Sequence, residues 1–363
     1  MKLNEVCDVY SGYALKNFNN DKNGIPVIKI GNIIQNLKLD LSNCEYTTDS
    51  VKDKFFSKKN DIYVALSGAT TGKIGMMTEN DTHIINQRVG IVRSKINSFP
   101  VKYLKWFLQY HSNRILSDAA GAAQPNISPK QIENYELKDI TDSERTKISQ
   151  NLDNISDEID NKLSILNSLD ELVKSRFIEL FGDPRFNEKR FAEHRFDTIS
   201  DNLDYRRIPI TSKDRSKGKY PYYGASGIVD YVDDYIFDED ILLISEDGAN
   251  LVMRSTPIAF SVRGKVWVNN HAHVVRFDNF STQKYIEYYF AYIDISGYIT
   301  GSAQPKFNQA KLNSMLIPVP PIDLQNEFAN FVKLIDKLKF IVQNEIKDLQ
   351  ELLDKKMDEY FGE

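Results

Sequence analysis

Ser67-Gly68-Ala69-Thr70-Thr71-Gly72-Lys73 is the stretch of this chain nearest in type to a phosphate-binding turn. Glycines free backbone N–H groups to face an anion, and a lysine supplies the countercharge. The Walker arrangement is not met. Three residues rather than four separate the glycines, and Ile74 stands where a Ser or Thr must meet magnesium. The segment therefore does not read as a nucleotide pocket, and a glycine-rich turn near a nucleic-acid backbone is the reading left open to it. A second group of residues runs from Tyr205-Arg206-Arg207 through Lys213, Arg215, Lys217, Lys219, Tyr220, Tyr222 and Tyr223. Arg and Lys reach phosphates and guanine edges while rings stack or pack, so bases interleaved with aromatics suit a nucleic-acid surface, and equally an ordinary solvated loop. His271 and His273 alternate as two ligands on one strand would, but no third ligand is evident. They read as strand-edge or DNA-facing histidines, and no metal site is assigned.

Other chemistries lack their residues. No Gly-x-Gly occurs, so neither a dinucleotide nor an AdoMet-type glycine turn is visible. Pro320-Pro321 lies between Val319 and Ile322 and lacks the preceding Asn or Asp and following aromatic of amino-methyltransferases. No Pro-Asp step opens a nuclease-like carboxylate–lysine set, and five histidines form no coherent triad. The chain reads as a reader and organiser, with no catalytic and no cofactor-binding residues assigned.

The elements that must position these residues are written twice. Gly121-Ala122-Ala123-Gln124-Pro125 returns as Gly301-Ser302-Ala303-Gln304-Pro305, and Phe181-Gly182-Asp183 as Phe361-Gly362-Glu363. Both landmarks are offset by 180 residues, so the whole intervening unit is duplicated. The acidic counterpart of the glycine-rich turn is Glu246-Asp247-Gly248-Ala249-Asn250. In each copy short β-branched runs predict strands: 60–67 matches 239–246, and 84–93 matches 267–276. Short helices are predicted over 101–108 and 283–290. Each copy then ends in apolar residues spaced by three and four, from Ile148 to Phe181 and from Leu324 to Phe361. That is a coiled-coil seam, and a 40-residue helix with one apolar stripe needs a partner. Thr141-Asp142-Ser143-Glu144 is a capping box that starts the first helix; Gly182 and Pro184 stop it. The two helices are expected to pair antiparallel, since a whole globule returns the chain between them. The other arrangement lays each helix on its own globule.

Length and charge agree with two reading parts. The 363 residues suffice for two cores. No apolar stretch approaches the 18 residues of a membrane span, the first six residues lack the apolar core of a signal peptide, and Cys7 and Cys44 suggest neither disulfide nor zinc. A cytoplasmic protein without a membrane partner is expected. Net charge is −5, but the helical segments 141–183 and 322–363 together carry −9 and the rest carries +4. The globules can face phosphates while the helices stay away from them.

The chain resembles the specificity subunit of a type I restriction-modification system over essentially its whole length. The likeness rests on the order of the parts and on several phrases: Gly24-Ile25-Pro26-Val27-Ile28-Lys29-Ile30-Gly31-Asn32, Tyr220-Pro221-Tyr222-Tyr223-Gly224-Ala225-Ser226-Gly227, the Gly-x-Ala-Gln-Pro turns, Pro320-Pro321 and the Phe-Gly-acid ends. Ile140-Thr141 stands where the first copy would repeat the Pro-Pro entry. The resemblance implies an α+β fold of two tandem target-recognition domains, 1–140 and 184–321, with small mixed or antiparallel sheets and short helices. Two long spacer helices, 141–183 and 322–363, would pair as an antiparallel coiled coil. It further implies a subunit that does no chemistry and reads a bipartite site on double-stranded DNA. Such a subunit binds two methyltransferase subunits, which hold AdoMet, and joins restriction–translocase subunits, which use ATP and Mg. A helix of about 60 Å caps the span between half-sites at ~17 base pairs. For phosphate or base contact the candidates are Lys29, Asn32, Thr70, Thr71, Lys73, Arg88, Gln124 and Asn126 in the first domain. In the second they are Arg206, Arg207, Lys213, Arg215, Lys217, Tyr223, Lys265, His271 and Gln304. If Arg207 reads a guanine, Arg207→Ala weakens binding by ~1–3 kcal/mol and relaxes one position. Two other functions are open to such a chain: a self-contained DNA methyltransferase or nuclease with its own reader, and a coiled-coil scaffold carrying two non-DNA modules.

Overall fold

The computed structural model describes residues 1–362, apart from 20, 21, 35, 120–124, 302 and 303. Contacts divide the chain into two units, Met1–Leu163 with Gln343–Glu363, and Ser164–Val342. In the first unit one antiparallel sheet has the order β1 (Cys7–Ser11), β8 (Val89–Ser94), β5 (Ile62–Ala65), β6 (Ile74–Met76). A second has the order β2 (Phe18–Asn19), β4 (Glu45–Thr47), β3 (Ile25–Ile28), β7 (Ile84–Ile85), with its last pair parallel. The second unit repeats the plan. One sheet runs β10 (Asp201–Asn202), β17 (Ala272–Arg276), β14 (Ile241–Ser245), β15 (Ala259–Val262). The other runs β12 (Gly227–Val232), β11 (Lys217–Gly224), β16 (Lys265–Val268), β13 (Phe237–Asp238), and β11 and β16 are again parallel. A small ribbon of β9 (Glu193–Arg195) and β18 (Leu316–Pro318) has a single-bridge counterpart, Lys2 with Glu136, in the first unit.

Strand alternation divides each core in two. On β5, Tyr63 and Ala65 face the second sheet with Ile28, Ile85 and Ile91, while Ile62 and Val64 face the helical side with Leu104 and Trp106. On β14, Leu243 packs with Val268 and Val274, and Leu242 and Ile244 pack with Ile286 and Phe290. These strands are covered on both faces, which is why they read as unbroken apolar runs.

The segments 84–93 and 267–276 are not single strands. Asn86 Oδ1 accepts the Arg88 backbone N–H (3.2 Å) and Asn269 Oδ1 accepts that of His271 (2.8 Å). Each Asn thus closes a turn on itself and sends the two halves of its run into different sheets.

The long helices span Asp142–Phe181 and Ile322–Phe361. The capping box forms: Glu144 Oε2 accepts the Thr141 N–H (2.8 Å) and Thr141 Oγ1 accepts the Glu144 N–H (3.2 Å). Gly182, at φ +77°, ends the helix in the left-handed conformation that glycine adopts without cost. In the first unit Asn151 meets Tyr360 and Lys162 meets Glu345 (2.9 Å). In the second, Asp170 meets Lys339 and Arg176 meets Glu327. Numbers rise on one helix as they fall on the other, so the pairing is antiparallel within each unit. The same helices also lie on the globules. Leu152 and Phe361 enter the core of the first unit with Tyr103, and Phe177, Phe181 and Phe328 enter that of the second with Tyr285. The two arrangements expected as alternatives therefore occur together. No described helix is long and apolar enough to cross a membrane.

Candidate nucleic-acid interface

Beyond β5 the backbone gathers three segments at one end of the sheet. Leu66 N–H donates to Arg88 O (2.9 Å), Ile127 N–H to Leu66 O (2.9 Å) and Gly68 N–H to Pro125 O (3.1 Å), and Ser67 bridges Asn126. Beyond β14 the same bonds recur. Glu246 N–H donates to His271 O (2.9 Å), Phe307 N–H to Glu246 O (2.7 Å) and Gly248 N–H to Pro305 O (3.1 Å), and Asp247 bridges Lys306. The duplication is thus kept to the level of single hydrogen bonds. The side chains standing on this shared frame differ: Ser67, Arg88 and Asn126 on one tip, Asp247, His271 and Lys306 on the other.

In the first unit Arg88 and Asn126 are exposed at the tip. Among the described residues the Arg88 guanidinium has no partner. Thr70, Thr71 and Lys73 line a cleft of about 370 Å³ with Gln109, Ser112 and Asn113. Lys73 is exposed; Thr71 is buried, and its hydroxyl donates to Gly68 O (2.7 Å), so it shapes the turn. The hydroxyls of Ser67 and Thr70 are covered and, among the described residues, unpartnered. Gly72 has φ +88°, and a Cβ there would lie 2.7 Å from Ser112 O, so this turn requires glycine. Lys29 pairs with Glu45 (2.5 Å) over the Phe18 ring. Asn32 serves its own loop, accepting from Lys29 N–H (2.8 Å) and donating to Asp40 O (2.9 Å). Gln124 lies outside the described residues.

The basic–aromatic stretch of the second unit is largely engaged internally. Arg206 donates to Glu239 (2.6 Å) and to Ile236 O, over the Phe237 ring. Arg207 donates to Glu246 (2.7 Å) and Ala272 O (2.7 Å), with its side chain only 13% exposed. Arg207→Ala is therefore expected to lower the stability of this unit, which urea unfolding would read. Arg215 pairs with Asp230 (3.2 Å) and stacks on Tyr222. Tyr223 lies half-buried against Phe260, and burial raises its hydroxyl above the ordinary range. Lys213, Lys217, Lys265 and Gln304 are exposed, Lys265 beside the Tyr235 ring.

The two histidines part company. His271 sits in the turn, exposed, with Nδ1 2.9 Å from both carboxylate oxygens of Asp247. His273 is on β17 and fully buried, with Nδ1 2.6 Å from Asp204 and Nε2 2.7 Å from Phe307 O. It faces inward, not toward DNA. Atoms of Asp204, Glu246 and His273 converge to within 4.8 Å, and the Arg207 guanidinium contacts both carboxylates. Burial alone would raise the Asp204 carboxyl; the His273 hydrogen bond and charge, the Val274 N–H and Arg207 outweigh it and hold it below the ordinary range. Asp247 and Lys306 belong to the tip but were not among the sequence candidates. Their signal was the 180-residue offset from Ser67 and Asn126.

A family model described as the type I restriction modification DNA specificity domain matches residues 1–171 and 198–351. A protein named as a type I restriction enzyme specificity subunit from Haemophilus influenzae is 34% identical over 142 residues, 39% of this chain and 36% of that protein. That match spans little more than a third of the relative. The type I restriction enzyme MjaVIII specificity subunit of Methanocaldococcus jannaschii is 23% identical over 360 residues, covering 86% of this chain and 83% of that one. In fold, the crystal structure of a type I restriction-modification S subunit from M. genitalium aligns with a TM-score of 0.58 at 16% identity, over 100% of this chain and 96% of that one.

Proposed function

This chain belongs to the family of type I restriction modification DNA specificity domains, and from that premise we propose that it reads a two-part site on double-stranded DNA, one half through the tip of each unit. The observation that carries the reading is the repeated frame with exchanged side chains. Bases are told apart by donor and acceptor patterns on their edges, so one backbone frame serves two sub-sequences when only its side chains change. Arg88, exposed, suits guanine; the Asp247–His271 pair with Lys306 offers both acceptor and donors. Residues 1–140 and 184–321 act as the reading domains, and 141–183 and 322–363 as spacer helices. The chain catalyses nothing and holds no cofactor. Methylation falls to two partner subunits that hold AdoMet, and cleavage to restriction–translocase partners that use ATP and Mg, all in the cytoplasm.

Selection of bound duplexes from a randomised pool by the chain with its methyltransferase partners tests this. A split motif is expected, and Arg88→Ala should relax one position in one half only, weakening binding there by ~1–3 kcal/mol. Uniform weakening on every sequence, with a shallower salt dependence, makes Arg88 a phosphate contact. A pool recovered without any motif, or methylation by the purified chain alone, sinks the reading.

A further inference from the structure

The two units differ at one place where their repeat predicts likeness, the notch between the outer strand of the first-described sheet and the long helix. In the first unit the chain closes this notch itself. Asn36 and Leu37 form a turn with φ of +59° and +60°, a conformation unfavourable for leucine that only surrounding contacts sustain. Leu37 O accepts the Met76 N–H at the edge of β6 (3.1 Å), its side chain is 8% exposed, and Lys38 pairs with Asp160 of the helix (2.5 Å). Leu39 lies against Gly75, where a Cβ would come within 2.6 Å of it.

By strand register Gly75 corresponds to Phe260 and Met76 to Ser261. Phe260 packs on the inter-sheet core of the second unit, as Leu39 does on that of the first. Among the described residues none takes the place of Leu37 in the second unit. The second unit has here an open notch of about 740 Å³, lined by Ser261, Phe280, Lys333, Lys337, Phe340 and Ile341 among others. Phe340 is 65% and Ile341 52% exposed. The helix charge is also inverted. Asp153 and Asp157 become Lys333 and Lys337 at the 180-residue offset, Ser156 becomes Asp336 and Asp160 becomes Phe340, so a net negative face becomes a net positive one.

We propose that this notch is a docking site for a turn of another protein, one presenting an apolar side chain followed by a carboxylate. The first unit is the template: an apolar side chain in the notch, a carbonyl on the strand edge and a charge opposite to that of the helix. A second copy of this chain would offer Leu37-Lys38, the wrong sign. The proposal rests on reading the chain as one member of a multi-subunit complex. It makes the two repeats unequal as docking surfaces, since only one is already filled.

The test titrates the full chain with a fluorescent peptide of residues 33–41 carrying Lys38→Glu and Asp40→Asn, alongside the peptide carrying Asp40→Asn alone. The acidic peptide should bind about tenfold more tightly, and Lys333→Glu with Lys337→Glu should reverse the order. Phe340→Ser, at a surface position that leaves folding intact, should weaken the acidic peptide about tenfold. Equal binding of both peptides, or no binding of either up to about 1 mM, overturns the proposal. Sequence-specific DNA binding should be unchanged in these variants. Its absence from the unmodified chain would count against the DNA-reading function while leaving the peptide result intact.

Discussion

Asp204→Ala is expected to lower the unfolding free energy of the 164–342 unit by about 3–5 kcal/mol, because it removes one member of a buried charge network and strands the others. Asp204 Oδ1 accepts the Val274 N–H (2.7 Å), and Oδ2 faces His273 (2.6 Å) and Arg207 (3.4 Å). Both His273 nitrogens lie against oxygens, Nδ1 against the Asp204 carboxylate and Nε2 against Phe307 O. Arg207 carries the network on to Glu246, whose own backbone binds His271 and Phe307. Through Arg207 and His273 the network reaches Glu246 and Phe307, while the 202–207 segment and β17 meet on the Asp204 carboxylate itself. The sign with pH follows from its depressed pKa. The contribution is fully present above the ordinary carboxylate value of 3.8 and is lost as pH falls through the lower folded value. Urea unfolding of wild type and Asp204→Asn should differ at neutral pH and converge in acid. A difference that persists unchanged below pH ~2 would assign the effect to packing instead of charge.

Residues whose partners are near in sequence, or displaced by the constant repeat, were legible in advance. Thr141 and Glu144 cap a helix three residues apart, and Gly182 ends it, so both boundaries could be read from local chemistry. The 180-residue offset set the pairing of elements, and the same offset leads from Asn126 to Lys306. The arginines were not legible. Arg206, Arg207 and Arg215 sit in a basic run, but the acids that engage them lie 33, 39 and 15 residues further on, brought near by strands that a one-dimensional charge pattern does not contain. The interrupted strands failed for another reason. Asn86 and Asn269 each lie within a β-branched run whose period-2 pattern continues across them, and only the side-chain bond to the backbone two residues on turns the chain. Alternation likewise gave His271 and His273 one face, whereas the turn leaves one exposed and buries the other.

Phe177→Ala should cost the 164–342 unit about 3–5 kcal/mol, the range for deleting a fully buried aromatic ring. Phe177 is 0% exposed, and its ring meets four others: Phe181 at 4.9 Å, Tyr292 at 5.2 Å, Phe328 at 5.4 Å and Tyr285 stacked at 5.7 Å. Two of these belong to the long helices and two to the globular helix Phe280–Tyr292. A seam serving only the partner helix would leave the globule indifferent to the substitution. Here the same ring closes both contacts, so loss of helix pairing and loss of the globular core should appear as one cooperative urea transition. The double variant Phe177→Ala with Tyr285→Ala should fall short of the sum of the single effects by roughly 0.5–1.5 kcal/mol, the coupling of an aromatic pair. Additive single effects, or a helix transition that separates from that of the globule, would mean that the spacer and the reading part of this unit are independent bodies. A cooperative, coupled response makes the helix pair a load path into the sheet that carries Asp247 and His271.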